Sequence, residues 1–247
     1  MIRHLLLLFF LAAGPARADE LADLRAGLGR LHRGDPVKAS LEYSFWSRQG
    51  DASKGKVTQG KASLRFEDDP QGMKVFCSRA TLDQTNQESL AAAKDPELGN
   101  PTAQALRNLG PGVLSECLDP GDWLLRVLEG AVLVEARQEP FNGVQARCLV
   151  LKLNPKLSAL SRKYVKDLQA NCKVWLGPDG MPLGITEDVK AKGRVFLIIS
   201  FVHTESVERR FAKLGNRLVT AYRRSEIADS GGGESGSFRE TFILNYE

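Results

Sequence analysis

The segment VKASLEYSF, residues 37–45, decides the fold class, because apolar and polar side chains alternate along its whole length. Successive side chains of a β-strand point to opposite faces, so this alternation predicts a strand with one buried and one solvated face. The buried set is Val37, Ala39, Leu41, Tyr43 and Phe45. A sheet therefore begins early in the chain.

Two further segments continue the same sheet. Ala62, Leu64 and Phe66 alternate with polar residues, and the turn sequence DPQG at 69–72 leads into a third apolar segment over 73–77. Alternation broken by turn residues is the pattern of consecutive antiparallel strands. Residues 37–77 thus predict a three-stranded antiparallel meander.

An amphipathic helix precedes this meander. Leu21, Leu24, Leu28 and Leu31 follow one another at spacings of 3, 4 and 3 residues. Such spacing places all four side chains on one face of a helix. We predict this helix over residues 19–32.

A helical insert follows the meander, at about residues 81–138. Asn100-Pro101 and Asp119-Pro120 each place an N-cap residue before a proline at the first helical position. Alternation resumes after residue 142. The segment VFLIISFV, residues 195–202, is apolar in both phases, so we predict a central strand that is covered on both sides.

The composition is that of an ordinary globular chain. Of its 247 residues, 43% are hydrophobic and 26% are charged, and the net charge is +4. These values exclude a disordered or collagen-like chain, and no block of Lys or Arg marks a nucleic-acid surface. No linker or repeat divides residues 19–247. We predict one α+β domain with a curved antiparallel sheet whose concave face is covered by helices.

Residues 1–18 have the order of a secretory signal peptide. The apolar run LLLLFFLAA at 5–13 precedes Ala16-Arg17-Ala18, an A-x-A cleavage site. The run is about half as long as a bilayer span requires, and no later stretch approaches that length. We expect export to a bacterial periplasm and a mature chain without a transmembrane segment.

The chain contains four cysteines, and no two of them have C-x-x-C spacing. In an oxidising compartment an even number favours disulfides over a zinc site. We prefer the pairs Cys77–Cys117 and Cys148–Cys172, because the second pair falls on neighbouring predicted strands. Free buried thiols are the alternative.

Catalytic motifs do not stand out. His32 and His203 are the two histidines of the mature chain, and their polar neighbours indicate solvated side chains. The glycine-rich segment Gly231 to Gly233 lacks the strand-to-helix context of a phosphate cradle. We predict no enzymatic activity, no metal site and no cofactor. Carboxylates such as Glu187 and Asp188 keep a hydrolase of envelope polymers as an alternative.

An incomplete helical cover over a sheet leaves an apolar pocket, which suits acyl chains at about 0.8 kcal/mol per buried methylene. A packed core without ligand is the competing interpretation. The residues expected to line the pocket are Tyr43, Phe45, Leu64, Phe66, Val174, Leu197, Ile199 and Phe201 on the sheet, and Leu24, Leu28, Trp123 and Leu128 on the helices.

The order of elements resembles the LolA/LolB family of periplasmic lipoprotein carriers. The resemblance rests on the signal peptide, the first helix, the meander to Cys77, the insert to about Gln138 and the strand-rich remainder. It implies an unclosed half-barrel with a helical lid over an apolar cavity that holds acyl chains without covalent chemistry.

The leading hypothesis is therefore an exported, non-enzymatic binding protein that shelters the acyl chains of a lipid or lipoprotein. Envelope proteins are its further expected partners. The alternative is an envelope scaffolding or interaction module with a packed core and no ligand.

Overall fold

A computed structural model describes residues 16–31, 35–50, 54–195 and 198–246, and these residues form ten strands and six α-helices. The strands are β1 (Val37–Gln49), β2 (Lys56–Asp69), β3 (Gly72–Cys77), β4 (Val132–Gln138), β5 (Arg147–Lys152), β6 (Val165–Leu176), β7 (Pro182–Val195), β8 (Ile199–Leu214), β9 (Arg217–Gly231) and β10 (Glu234–Tyr246). The helices are α1 (Ala16–Leu28), α2 (Arg79–Lys94), α3 (Pro101–Asn108), α4 (Pro111–Leu118), α5 (Pro120–Val127) and α6 (Ala159–Tyr164), and a 3-10 turn spans Pro96–Leu98.

All ten strands belong to one antiparallel sheet in the order β3-β2-β1-β10-β9-β8-β7-β6-β5-β4. The predicted meander over 37–77 is confirmed as β1 to β3. Strands β4 to β10 form a second meander, and pairing of β1 with β10 joins the two. The edges are β3 and β4, so the sheet is open.

One register row crosses most of the sheet and defines its core face. Tyr43 of β1 lies opposite Phe242, and at the other end of the row Ile185 of β7 lies opposite Val174. Residues directly opposite each other share a face, so we call this side the core face. Two apolar clusters lie on it. The first joins β1, β2 and β10 to α3 and α4, and the second joins β5, β6 and β7 to α1 and α5.

The amphipathic first helix is confirmed, but it spans Ala16–Leu28 and ends before Leu31, earlier than the predicted range 19–32. Leu21, Leu24 and Leu28 of α1 are buried in the second cluster, and Leu31 packs against it. Residues 1–15, which carry most of the predicted signal peptide, lie outside the described residues. Among the helices that the structure describes, none has both the length and the apolar character needed to cross a bilayer.

The helical insert ends earlier than predicted. Helices α2 to α5 span residues 79–127, and residues 132–138 form the edge strand β4. Val132 and Val134 of β4 are 62% and 56% exposed. Branched side chains favour extended backbone, so residues 132–138 form the first strand of the second meander instead of extending the helices.

The prediction of a buried central strand at 195–202 is wrong. Strand β7 ends at Val195, β8 begins at Ile199, and these two residues pair across a hairpin end. Ile198 is 83% exposed at this reversal. Gly193 has the residue type of a turn, but it lies within β7, where a Cβ would come within 2.3 Å of the Tyr164 carbonyl oxygen. The glycine permits close packing inside the strand rather than a turn.

The cysteine pairs preferred from the sequence are not formed, and each of the four cysteines is free. Cys172 faces the second core cluster, whereas Cys148 packs with Trp175 in a small cluster of its own. Cys148 lies opposite Trp175, and Cys172 lies opposite Leu151. An odd offset along neighbouring strands puts the two thiols on opposite faces of the sheet, so they cannot bridge.

Candidate functional site

Most of the predicted pocket residues lie inside the two apolar clusters. They are packed core, at 7% exposure or less, whereas Trp123 is partly buried against the second cluster. The core members are Tyr43, Phe45, Leu64 and Phe66 in the first cluster, and Leu24, Leu28, Leu128 and Val174 in the second.

Of the remaining three pocket residues, Ile199 and Phe201 lie near the β7–β8 hairpin end. Ile199 is 41% exposed there, and Phe201 is half-buried. Leu197 lies outside the described residues. The structure therefore does not bring the predicted lining together around one space. Tight packing of the two clusters is the reason, since close-packed side chains occupy the volume that a ligand would fill.

Beside the clusters, the core face carries several half-buried apolar side chains, with the charged pair partners Glu205, His203 and Asp229 among them. Val189, Ile227 and Phe238 are half-buried on β7, β9 and β10. One register row connects them, because Glu205 lies opposite both Val189 and Ile227, and Ile227 lies opposite Phe238. We call Val189, Ile227, Phe238 and Phe201 the open strip. Its partial exposure distinguishes it from the core.

A charged seam crosses the core face beside the open strip, and Phe238 of the strip also packs against the first cluster, with its ring centroid 6.2 Å from that of Phe45. The seam consists of Glu187, Arg209, Arg223 and Glu240, which lie in adjacent register rows of β7 to β10 on the core face. The side chains of Arg209 and Arg223 are 4% and 14% exposed. Charged groups are rarely buried unless they are paired, so each of the two arginines is expected to have a counter-ion.

Arg209 is held between an aromatic ring and a carboxylate. Its guanidinium carbon lies 3.7 Å from the centroid of the Trp123 ring, and its Nη2 lies 3.3 Å from Oε2 of Glu116. Both partners come from the helices α5 and α4, so the helical layer supplies the counter-charge and the stacking surface. Cation–π contact of this type stabilises a desolvated arginine.

Glu240 is the counter-ion of the second arginine and the centre of a short hydrogen-bond chain. Nη2 of Arg223 lies 3.2 Å from Oε1 of Glu240. Tyr43 donates its hydroxyl to Oε2 of Glu240 at 3.2 Å, and Asn108 donates its amide to the Tyr43 hydroxyl at 2.8 Å. The chain links α3 through β1 to the seam.

Burial shifts the protonation equilibria of the seam. It raises the pKa of Glu187 to about 7, because desolvation outweighs the opposing effect of Arg209. Burial also lowers the pKa of Arg209, and the positive charge of Arg223 acts in the same direction. Glu187 is thus the group in the seam that changes charge near neutral pH.

Several polar atoms of this region are buried without a hydrogen-bond partner among the described residues. They include Nε of Arg209, Nε of Arg223 and Oγ of Ser225. Ser225 is 1% exposed and lies opposite Glu240 on β10 and Val207 on β8. Buried donors in folded proteins nearly always have partners, so three unpaired donors in neighbouring rows mark a polar site.

The far end of the open strip reaches a groove of about 910 Å³. Ile199 and Phe201 line this groove together with Gly231 and Gly236 from the β9–β10 hairpin. The glycine-rich segment is thus a hairpin end, where Gly232 and Gly233 adopt positive φ angles. His203 lies nearby, with Nδ1 2.7 Å from Oδ1 of Asp229.

The sequence alone does not indicate the seam as a site, because Glu208-Arg209-Arg210 has the composition of a charged strand surface. A signal was present. Arg209 shares its alternation phase with Val207 and Phe211, and Glu240 shares its phase with Phe242. A charge in the apolar phase of a strand predicts a buried charge.

Comparison with protein-family models, curated proteins and solved structures found no match for this chain.

Proposed function

We propose that this chain is an exported, non-enzymatic protein that binds acyl chains on the open strip. The observation that carries the proposal is the half-buried state of Val189, Ile227 and Phe238 on the face that elsewhere forms the core. Apolar side chains that continue a core beyond its cover offer a surface for an apolar ligand.

The dimensions of the strip suit an acyl chain. Strands in a sheet lie about 4.8 Å apart, so β7 to β10 span roughly 14 Å. Along β9, the distance from Arg223 to Gly231 is roughly 26 Å at about 3.3 Å per residue. Burial of about ten methylenes provides roughly 8 kcal/mol before the entropic costs of binding.

In this proposal the helices form the cover of a concave sheet, as in a LolA/LolB-like half-barrel. Helices α4 and α5 contact β9, and α3 contacts β1 and β2. These contacts support a cover over one end of the face and leave the opposite end, with the hairpin groove, as the entrance. The signal-peptide pattern of residues 1–18 supports export and a periplasmic location.

Packed clusters favour the second candidate, an envelope interaction module without a ligand. Leu41, Leu124 and Leu149 are 0% exposed, which shows how completely both clusters exclude solvent. A module of this kind needs no space at the open strip.

The test is binding of a fluorescent acyl-chain probe to the purified protein. We expect Ile227→Asp and Phe238→Asp to abolish binding, because each places a charge on the strip. Ala228→Asp is the matched control, since Ala228 is exposed on the opposite face of β9. Failure of the unmodified protein to bind any acyl probe would overturn the proposal in favour of the module.

A further inference from the structure

We propose that the end of the sheet formed by the β7–β8 hairpin and helix α6 docks onto a bilayer surface that contains anionic phospholipids. We call this part of the molecule the basic end. Its members are the cations Arg162, Lys163, Lys166, Lys192 and Arg194 and the aliphatic residues Leu160, Ile198 and Ile199. The inference goes beyond the proposed function, because docking at the basic end does not require that the open strip binds acyl chains.

Three aliphatic side chains at the basic end face solvent. Ile198 and Ile199 are 83% and 41% exposed at the hairpin end, and Leu160 of α6 is 67% exposed. Ile198 has the largest exposed fraction among the large apolar side chains of the described residues. Exposed aliphatic groups are hydrated unfavourably, and this cost is removed when they enter an apolar phase.

Cations outnumber anions at the basic end. Residues 159–167 and 190–200 contain six Lys and Arg residues but a single acidic residue, Asp167. The five cations named above are exposed, and none has an ion-pair partner among the described residues. Lys156, just before α6, differs from them because it pairs with Glu129. The basic end therefore offers positive charge that the protein itself does not neutralise.

Strand pairing and helix packing bring the charged and aliphatic groups together. Arg194 precedes Val195, which pairs with Ile199 across the hairpin. Helix α6 leads directly into β6, and its last carbonyl oxygen, that of Tyr164, lies beside β7, where it would be 2.3 Å from a Cβ at Gly193. The cations of α6 thus lie next to those of β7 and to the hairpin end.

The opposite end of the strands is more acidic. Glu67, Asp68 and Asp69 end β2 there, and Asp179 lies in the turn between β6 and β7. A molecule with this distribution of charge is oriented by the field of an anionic surface, with its basic end foremost.

An anionic bilayer accommodates both kinds of group at once. Lys and Arg have long apolar stems, so their charged ends can reach lipid phosphates while neighbouring aliphatic side chains enter the acyl boundary. An acidic polypeptide would neutralise the cations but would not supply an apolar phase for the isoleucines. The combination of groups therefore favours a lipid surface as the partner.

Co-sedimentation of the purified protein with vesicles tests the inference. The vesicles contain phosphatidylglycerol and phosphatidylcholine in equal amounts, or phosphatidylcholine alone. Each Lys or Arg near an anionic surface strengthens binding about fivefold, so we expect the anionic vesicles to bind the protein at least about tenfold more tightly at low salt. Salt at about 0.5 M should remove most of this preference, because it screens the exposed charges.

A charge variant tests the electrostatic contact. Lys192→Gln with Arg194→Gln removes two exposed cations, and we expect binding to anionic vesicles to weaken by about 25-fold. The matched control is Lys38→Gln with Lys74→Gln. These two cations are also exposed, but they flank Glu67 at the opposite end, so their loss should have little effect.

An apolar variant tests insertion into the bilayer. Ile198→Asp should weaken binding by about tenfold or more, because a carboxylate replaces an inserted side chain. The variant should fold, since Ile198 is 83% exposed. Val144→Asp is the matched control, because Val144 is 46% exposed in the connection between β4 and β5, at the opposite end.

The outcomes separate the partner, the location and the proposed function. Equal binding to both vesicle types overturns the anionic bilayer as the partner. Control variants that weaken binding as much as the test variants overturn the location. Binding that polyglutamate displaces and that Ile198→Asp leaves unchanged overturns the bilayer in favour of an acidic polypeptide.

The variant Ile227→Asp distinguishes docking from acyl binding. It should abolish binding of the acyl probe and leave vesicle binding intact. Loss of vesicle binding in this variant would show that lipid is held at the open strip, and would overturn docking at the basic end. Absence of vesicle binding by the unmodified protein overturns this inference alone, because the acyl probe reports on the proposed function separately.

Discussion

Arg209 and Arg223 lie directly opposite each other on adjacent strands, with both side chains on the core face of the sheet. Like charges at this spacing repel, and burial strengthens the repulsion. The arrangement persists because Glu116 and Glu240 each supply a carboxylate, and Trp123 stacks over one guanidinium. Helices and sheet therefore depend on each other at the seam.

Loss of Glu240 should destabilise the protein. Glu240→Gln leaves Arg223 buried without a counter-ion and weakens the acceptor for Tyr43, so we expect a loss of about 3 kcal/mol in the free energy of unfolding. Urea denaturation measures this change. The control is Glu226→Gln, whose salt bridge with Arg224 is exposed, and we expect an effect below about 1 kcal/mol there. Equal effects of the two variants would contradict the buried pair.

Glu187 should make stability fall as pH rises. Its pKa is raised to about 7 in the folded protein, from 4.5 for an unperturbed glutamate. Between these values the folded state binds more protons than the unfolded state, so the free energy of unfolding decreases with increasing pH and levels off above about 7.

The variant Glu187→Gln should remove this decrease in the free energy of unfolding with rising pH, because glutamine does not ionise. At pH 8 we expect it to be more stable than the unmodified protein by up to about 3 kcal/mol, with a smaller difference at pH 5. Urea denaturation of both proteins at pH 8 and at pH 5 measures this difference. Asp188→Asn, on the exposed neighbour, controls for removal of a negative charge. A variant that is less stable at pH 8 would show that Glu187 is held as a carboxylate.

Two glycine substitutions should change the free energy of unfolding in opposite directions. A Cβ at Gly193 meets the Tyr164 carbonyl oxygen at 2.3 Å and the Phe201 ring at 2.4 Å, so Gly193→Ala should cost about 1–3 kcal/mol. A Cβ at Gly112 meets nothing within 4 Å in helix α4, so Gly112→Ala should stabilise by about 0.5–1 kcal/mol. Thermal unfolding measures both, and a neutral Gly193→Ala would argue against the close packing of α6, β7 and β8.

The apolar hairpin end should tolerate polar substitution. Ile198 is 83% exposed, so Ile198→Ser should change the free energy of unfolding by less than about 0.5 kcal/mol. Leu41, at 0% exposure, provides the contrast, and Leu41→Ala should cost about 2–5 kcal/mol. A large loss for Ile198→Ser would support the buried strand that the sequence pattern predicts.

The four cysteines should remain thiols. In denaturant without reductant, thiol titration is expected to find four reactive groups, and the intact mass should show no loss of hydrogen. In the folded protein Cys77 should react first, because it is half-buried and the other three are buried. Burial raises the pKa of Cys117 to about 11, which further slows its reaction. A mass lower by two hydrogens would reveal a disulfide.

The sequence by itself determined the class of the fold, because its signals are local. Alternation over 37–45, the leucine spacing of α1 and the Asn-Pro and Asp-Pro helix starts each depend on residues a few positions apart, and each is present in the structure. The extent of the insert and the hairpin at 195–199 were not predictable in this way, since apolar runs of that length suit a strand, a turn or an edge equally well.

Tertiary structure alone decided the candidate site. Tyr43 lies opposite Phe242, about two hundred positions along the chain, and this pairing of β1 with β10 brings the two meanders into one face. Arg209, Arg223 and Glu240 become neighbours through strand pairing, whereas Glu116 and Trp123 reach them from helices. Pairing between distant segments depends on the free energy of the whole packed chain, and no local pattern encodes it.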